Sequence, residues 1–236
     1  MREVVEALKS LAGQQVVVLC HHNADPDAVA SAVVLAEVLR GICSEVRAGA
    51  AEDVSAVARS VLSAFNKTIE VNPALDCDAV VLVDTSGFGH LGSFAEQLER
   101  FSGRILVIDH HKPNEQTKAR ADVHLVFEHY PSESELVFDV LQEMKAELTP
   151  EQASLLLAGV ISDTGHFRLA KPETFRVLWR LIESGADYQK VLESMKLPED
   201  KSRRVAILKA VERAELRRMY GYHFIFSELG SFEADA

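Results

Sequence analysis

The chain has 236 residues, of which 47% are hydrophobic, and a formal net charge of −11 at pH 7. A chain of this size can bury a sizeable core in one large domain, or in one domain and a smaller piece, while its negative charge argues against a broad nucleic-acid-binding surface. We find no apolar run of about 18 residues and no charged-then-apolar leader, so we expect neither membrane insertion nor secretion. The chain has three unclustered cysteines, Cys20, Cys43 and Cys77. They predict free thiols in a reducing compartment, and hence a cytoplasmic protein.

Helical and extended patterns alternate along the chain, which predicts an α/β fold with a doubly wound, mainly parallel sheet and helices on both faces. From the helix-start signal Ser132–Glu135 onward the pattern is helical, and we expect it to remain so as far as Glu215. In chain order, we predict strands at 15–20, 44–48, 79–83, 105–108 and 123–127, helices at 28–40, 52–65, 94–101 and 150–161, and further helical stretches through Met144, Ile182 and Leu192.

Acidic and imidazole side chains follow three of the predicted buried strands. The strands lead into the segments 21–27, 84–86 and 109–111, and the helix predicted at 150–161 ends at Asp163. Each ending alone could be an ordinary polar stop, but the carboxyl ends of parallel strands face one crevice. So many carboxylates in one cleft would repel one another and retain protons unless divalent cations neutralised them. We therefore expect seven of these side chains to converge around two divalent ions. They are His21, Asp25, Asp27, Asp84, Asp109, His110 and His111.

Four segments resemble, in order and spacing, the four motifs of the DHH phosphoesterase family, and the resemblance extends over about Val16–Arg168. Departures are modest: Ala24 stands in place of a frequent proline, and Pro26 and Ala30 in place of frequent glycines. None of these changes removes a donor atom, although Pro26 fixes a backbone torsion that glycine would leave free. The matching segments are His21-x-Asn23-x-Asp25-x-Asp27-Ala28-x-x-Ser31, Asp84-Thr85-Ser86, Asp109-His110-His111 and Gly159-Val-Ile-Ser-Asp163-Thr164-Gly165-x-Phe167.

The resemblance implies a pair of divalent ions bridged by Asp84, with Mn²⁺ favoured over Mg²⁺, Co²⁺ or Zn²⁺. Asp25 and Asp27 flank a single residue and can each serve a different ion, while a bridging carboxylate can hold two ions about 3.5–4 Å apart. By the same resemblance, the first ion is held by His21, Asp25 and Asp84, and the second by Asp27, Asp84, His110 and Asp163.

The resemblance also implies a reaction, the hydrolysis of phosphate esters of nucleotides or short oligonucleotides by a water activated between two metal ions. In the catalytic set, Asp84 and His110 serve the metals, His111 contacts a non-bridging phosphate oxygen, and Asp109 orients an imidazole. Arg168 is the basic residue best placed in sequence to bind a substrate phosphate together with His111.

Several alternatives remain open at this point. Within the family we favour an oligoribonuclease or nucleotide phosphatase over a RecJ-like exonuclease, a cyclic-dinucleotide phosphodiesterase or an inorganic pyrophosphatase; a non-catalytic metal-binding scaffold module is the further alternative. A competing motif, Gly87-x-Gly89-x-x-Gly92, has the spacing of a dinucleotide-binding fingerprint. It is disfavoured because the segment 84–86 separates it from its strand and because two histidines follow Asp109. We interpret it as a glycine-rich loop, and His22 as a bystander.

We assign residues 1–185 to a catalytic domain and 186–236 to a helical linker and the start of a truncated second domain. In the second segment, Tyr220–Phe226 predicts a strand and Gly230–Ala236 the start of a helix. Relatives in the family commonly carry a second domain whose glycine- and histidine-rich loop grips the distal part of the substrate, and we expect that domain to be missing here. The expected partner is a nucleotide or a short single-stranded oligonucleotide, with no membrane, and a homodimer is left open.

Overall fold

The computed structural model of the chain describes residues 1–85, 87–196 and 201–228, with side chains from 204 onward in the last range. Ser86 of the second motif and the helix start expected at 230–236 lie outside the described residues. The chain divides into two compact units, Met1–Lys196 and Leu197–Ala236.

The first unit contains a six-stranded sheet in which each strand is parallel to its neighbours. The strands are β1 (Gln15–Cys20), β2 (Glu45–Ala50), β3 (Glu70–Val71), β4 (Ala79–Val83), β5 (Arg104–Asp109) and β6 (Val123–Val126). Their order is β3-β2-β1-β4-β5-β6, so the chain winds outward in both directions from β1. The prediction of a doubly wound parallel sheet is confirmed.

Helices surround this sheet within residues 1–85 and 87–196. They are α1 (Arg2–Lys9), α2 (Pro26–Leu39), α3 (Ala56–Ala64), α4 (Phe94–Arg100), α5 (Glu115–Arg120), α6 (Glu133–Glu143), α7 (Pro150–Asp163), α8 (Pro172–Glu183) and α9 (Tyr188–Ser194), with a 3₁₀ turn at Phe88–Leu91.

Both faces of the sheet are buried. Alternate residues of a strand point to opposite faces, and in β1 Val16 and Val18 join a core cluster that includes residues of α2 and α7. Val17 and Leu19 join a second cluster on the other face, together with Leu98 of α4. Burial on both faces explains why the strands read as continuous apolar runs rather than as alternating patterns. The polar residues that follow the strands are therefore held on a rigid edge.

Two helices begin at residues other than those predicted, and both differences concern the loops near the site. The helix predicted from residue 28 begins at Pro26, because Asp25 caps it and proline suits the first helical position. The helix predicted at 52–65 begins only at Ala56, after the cap Ser55, because residues 52–54 form a loop instead. That loop contacts the first motif, since the amide of Ala24 donates to the carbonyl of Asp53 over 3.1 Å.

The second unit contains α10 (Lys201–Glu212), β7 (Glu215–Met219) and β8 (Tyr222–Phe226), and the two strands form an antiparallel hairpin. The prediction that the helical pattern continues as far as Glu215 is wrong, because Glu215 begins a strand. Tyr220 and Gly221 both have positive φ, the geometry of a tight two-residue hairpin turn, and this turn lets β7 pair with β8. Across the described parts of both units, none of the helices combines the length and hydropathy needed to cross a membrane.

Candidate metal centre

The side chains that follow β1, β4 and β5 meet at the carboxyl edge of the sheet, at the point where the winding direction reverses. The Asp84 carboxylate lies at their centre and is 3% exposed. Its Oδ2 lies 3.4 Å from Nε2 of His21 and its Oδ1 3.2 Å from Nε2 of His110. Asp84 also has a φ of 55°, a left-handed conformation that non-glycine residues adopt at a cost and that recurs at functional sites. The fold thus places one buried carboxylate between two imidazoles.

Both imidazoles are held in the orientation that metal-ligating histidines adopt. Nδ1 of His21 lies 2.7 Å from the carbonyl oxygen of His22, and Nδ1 of His110 lies 3.2 Å from that of Tyr130. A carbonyl oxygen can only accept, so each Nδ1 carries a hydrogen and donates it. This arrangement leaves each Nε2 lone pair for a cation on the side of Asp84.

A first group of ligand atoms is formed by His21, Asp25 and Asp84, which lie within 4.8 Å of one another. Asp25 caps α2, and its Oδ1 accepts hydrogen bonds from the amides of Asp27 (2.9 Å) and Ala28 (3.0 Å). Because the cap uses Oδ1, Oδ2 remains for a cation. This group coincides with the set that the family resemblance implies for the first ion.

A second group is formed by Asp27, His110 and Asp163, again with ligand atoms within 4.8 Å of one another. Nε2 of His110 lies 3.4 Å from Oδ2 of Asp163, at the end of α7. The fully buried Asp27 accepts hydrogen bonds from the amides of Glu133 (2.7 Å, to Oδ2) and Ser134 (2.9 Å, to Oδ1), at the start of α6. Two backbone donors therefore fix this carboxylate, and each of its oxygens keeps a lone pair for a cation.

The charges of these groups indicate what the arrangement needs. Burial and the charge of Asp84 raise the pKa of Asp25, raise that of Asp27 well above its usual range, and raise that of Asp163 to about 6. Burial alone would lower the pKa of His21, but its hydrogen bond to Asp84 and the charge of that carboxylate raise it to about 9. When no cation is bound, protons therefore fill positions that divalent cations would otherwise take.

The donor set fits such cations. Burial alone would raise the pKa of Asp84, but hydrogen bonds from His110 and His21 lower it, so this carboxylate stays ionised at the centre. A mixture of carboxylate oxygens and imidazole nitrogens suits Mn²⁺, Fe²⁺, Co²⁺ and Zn²⁺. We conclude that the residues present are suited to hold divalent metal.

Asp109 and His111 form a pair beside these groups. The buried Asp109 accepts a hydrogen bond from Nδ1 of the half-exposed His111 over 2.9 Å, and this Nδ1 lies 3.6 Å from Oδ1 of Asp84. The hydrogen bond with Asp109 raises the pKa of His111 despite partial burial, which acts in the opposite direction. The imidazole that Asp109 orients in this structure is thus His111.

Two further residues of this region are Arg168, whose role the sequence predicts, and Glu133, whose buried position it does not indicate. Arg168 is exposed on the turn after α7 and is not among the described residues that line the cleft above Asp84. Glu133 is fully buried, and neither of its carboxylate oxygens has a hydrogen-bond partner among the described residues. Burial and the charges of Asp109 and Asp84 raise its pKa well above the usual range. In the sequence, Glu133 is indicated only by the helix-start pattern Ser132–Glu135.

Comparisons with known proteins show the family that this sequence matches. Residues 15–160 match the DHH family, N-terminal domain. An uncharacterised protein of Methanocaldococcus jannaschii is 33% identical over 98% of this chain and 69% of its own length. A bifunctional oligoribonuclease and PAP phosphatase, NrnA, of Thermus thermophilus is 26% identical over 78% of this chain and 54% of its own length.

A solved structure of an exopolyphosphatase-related protein from Bacteroides fragilis superposes with a TM-score of 0.81, at 18% identity, over 95% of this chain and 69% of that one. This similarity supports the fold. The chain spans between about half and two thirds of the length of these proteins. Because the family match covers more than half of its sequence, the chain belongs to the DHH family.

Proposed function

We propose that this protein is a divalent-metal-dependent phosphoesterase that hydrolyses phosphate esters of nucleotides or short oligonucleotides. The observation that carries the proposal is the position of Asp84, whose two oxygens lie 3.2–3.4 Å from the imidazoles of His21 and His110. One carboxylate can thus serve two neighbouring cation positions, which is the arrangement that two-metal phosphoryl hydrolysis requires.

The proposed roles follow from the contacts. His21 and Asp25 form one group of neighbouring ligand atoms with Asp84, and Asp27, His110 and Asp163 form another. Bound divalent ions would supply charge neutralisation at the phosphoryl group and a water activated near neutral pH. These side chains would hold the ions in a fixed geometry, because each carboxylate or imidazole is itself anchored by the backbone or by a neighbouring side chain.

His111 is the proposed phosphate contact. Its Nδ1 is held by Asp109, so Nε2 is the ring nitrogen left to donate a hydrogen bond to a non-bridging phosphate oxygen. The half-exposed position of His111 in the lining of the cleft makes it accessible to a substrate. The raised pKa of His111 favours the doubly protonated ring, which is the form that can make both contacts at once.

Nucleotide esters are proposed as the substrate class because NrnA, whose name describes an oligoribonuclease and PAP phosphatase, matches most of this chain. Mn²⁺ is the proposed cation, with Mg²⁺, Co²⁺ and Zn²⁺ as alternatives that the same donor types accept.

The test is turnover of a 5′-phosphorylated dinucleotide by the purified chain with Mn²⁺, with inorganic pyrophosphate assayed in parallel. Asp84→Asn should reduce the rate by more than about 100-fold, because it removes a shared anionic ligand. Asp76→Asn is the matched control, since Asp76 is exposed and paired with Arg47 before β4, at the opposite end of that strand from Asp84. Absence of turnover by the unmodified chain, or full activity of Asp84→Asn, would contradict the proposal; turnover of pyrophosphate alone would contradict the substrate class.

A further inference from the structure

A cleft of about 450 Å³ opens directly above Asp84. Small-molecule sites commonly have volumes of about 300–1,000 Å³, so this cleft is large enough for a ligand. Three of its lining side chains, His90, His111 and Lys112, carry nitrogen donors that are not assigned to a cation, which favours an anionic ligand. The lining consists of His21, Asp84, Thr85, His90, His111 and Lys112.

His90 reaches this cleft from the 3₁₀ turn Phe88–Leu91, inside the glycine-rich segment between β4 and α4. The turn is anchored at both ends. The amide of Phe88 donates to Oγ1 of Thr117 over 3.2 Å, and the amide of Ser93 donates to Oε1 of Glu52 over 3.0 Å. A side chain at Gly92, whose φ is 52°, would overlap the Glu52 carboxylate. The glycine spacing thus serves a fixed turn that presents His90.

His22 provides a third anchor, at His90 itself. The carbonyl oxygen of His90 accepts the backbone amide of His22 over 2.9 Å and Nδ1 of the same residue over 2.6 Å. Because a carbonyl can only accept, this Nδ1 carries a hydrogen. The two imidazoles lie nearly parallel, with ring centroids 6.2 Å apart. The second histidine of the His21-His22 pair therefore connects the first metal-binding loop to the backbone of His90.

The position of His90 suggests a role distinct from that of His111. His111 lies 3.6 Å from Asp84 and so adjoins the atoms that would hold the reacting phosphate. Among the described residues, His90 and Lys112 line the same cleft but belong to none of the groups of candidate metal ligands. They are available for a second anionic group of the same substrate.

We propose that His90 is a substrate-contacting residue whose imidazole donates a hydrogen bond to a second phosphate, one that is bound but not hydrolysed, and that His22 is the positioning residue that holds it. This inference rests on the proposed phosphoesterase function and narrows its substrates to nucleotides that carry a phosphate besides the scissile one. Lys112, which lines the same cleft, contributes positive charge.

The test compares KM and kcat for two dinucleotides that differ only in a 5′-phosphate, with Mn²⁺ present. His90→Ala should raise KM about tenfold for the phosphorylated dinucleotide, as expected for loss of a charge-assisted hydrogen bond. It should leave kcat, the KM of the unphosphorylated dinucleotide and the bound Mn²⁺ unchanged. His223→Ala, which removes an exposed imidazole on β8, is the matched control.

The role of His22 is tested by the same comparison of KM and kcat for the two dinucleotides. His22→Ala should raise KM for the phosphorylated dinucleotide alone, and His22→Asn, which keeps a donor for the His90 carbonyl, should restore it. Equal changes for both dinucleotides, no change for either, or a loss of Mn²⁺ in His90→Ala would overturn the inference.

A binding measurement separates this inference from the proposed function. If the unmodified chain turned over neither dinucleotide, the proposed function would fail, while calorimetry with adenosine 3′,5′-bisphosphate and adenosine 3′-monophosphate would still decide the role of His90. The bisphosphate should bind more tightly to the unmodified Mn²⁺-loaded chain, and His90→Ala should abolish that preference. Equal affinities for the two nucleotides in the unmodified chain would overturn the inference.

Discussion

Gly159→Ala tests how α7 is packed against the site. Gly159 lies in α7 where that helix passes the start of α2, and a Cβ atom there would lie 2.5 Å from Oδ1 and 3.0 Å from Cα of Asp27 and would overlap Oγ of Ser134. One of these contacts is with backbone, which cannot move aside as the end of a flexible side chain can. The substitution should therefore displace Asp27 or move α7.

Two opposing effects set the magnitude. Alanine in a helix interior is otherwise more stable than glycine by about 1 kcal/mol. Overpacking of a buried site costs about 1–3 kcal/mol, and each hydrogen bond lost between the Asp27 carboxylate and an α6 amide costs about 1.5–3 kcal/mol more. If one of these hydrogen bonds is lost, we expect a net loss of about 1.5–5 kcal/mol in the free energy of unfolding, equivalent to a fall in Tm of roughly 3–20 °C for a domain of this size.

The assay is thermal unfolding of Gly159→Ala and of the unmodified chain, each with chelator and with Mn²⁺. The variant should melt at lower temperature in both conditions and should gain less stability from Mn²⁺, because Asp27 is a proposed ligand. Gly89→Ala is the matched control, since a Cβ atom there meets no other atom within 4 Å. If Gly159→Ala melted at or above the Tm of the unmodified chain and kept the full gain from Mn²⁺, the reasoning would be refuted.

Two further predictions concern pH. Burial raises the pKa of Glu135 to about 7, so between pH 4.5 and 7 the folded chain binds this proton more tightly than the unfolded chain, and stability falls as pH rises. With chelator present, Glu135→Gln should remove up to roughly 3 kcal/mol of this loss in the free energy of unfolding by pH 8. The prediction would be contradicted if the variant and the unmodified chain lost the same free energy of unfolding between pH 5 and pH 8. Because His21 and His110 have a pKa of about 9 without a cation, Mn²⁺ must displace protons. Its affinity should rise from pH 6 to pH 8, and calorimetry in buffers of different ionisation enthalpy should detect proton release; a pH-independent affinity without release would refute this.

Much of the fold and the candidate ligand set could be predicted because both depend on local pattern. The apolar run that makes β1 or β5 a buried strand also fixes where that strand ends, and the residues that follow it must then lie on one edge of a parallel sheet. The strand ends indicate Asp84 and His110 in this way, and in the structure Nε2 of His110 lies 3.2 Å from Oδ1 of Asp84.

Features that depend on contacts between distant segments could not be predicted in this way. The α6 amides that fix Asp27 come from Glu133 and Ser134, more than a hundred positions along the chain, and no local pattern indicates that contact. The position of His90 in the cleft depends on anchors from three other segments. The strand at Glu215 was missed because pairing with β8 outweighs a locally helical pattern.

The most direct test of the two-metal centre is anomalous diffraction from crystals of the chain grown with Mn²⁺. We expect two peaks about 3.5–4 Å apart. One should lie beside His21 and Asp25, and the other beside Asp27, His110 and Asp163, with the Asp84 carboxylate between them. A single peak, or peaks that do not contact Asp84, would contradict the account.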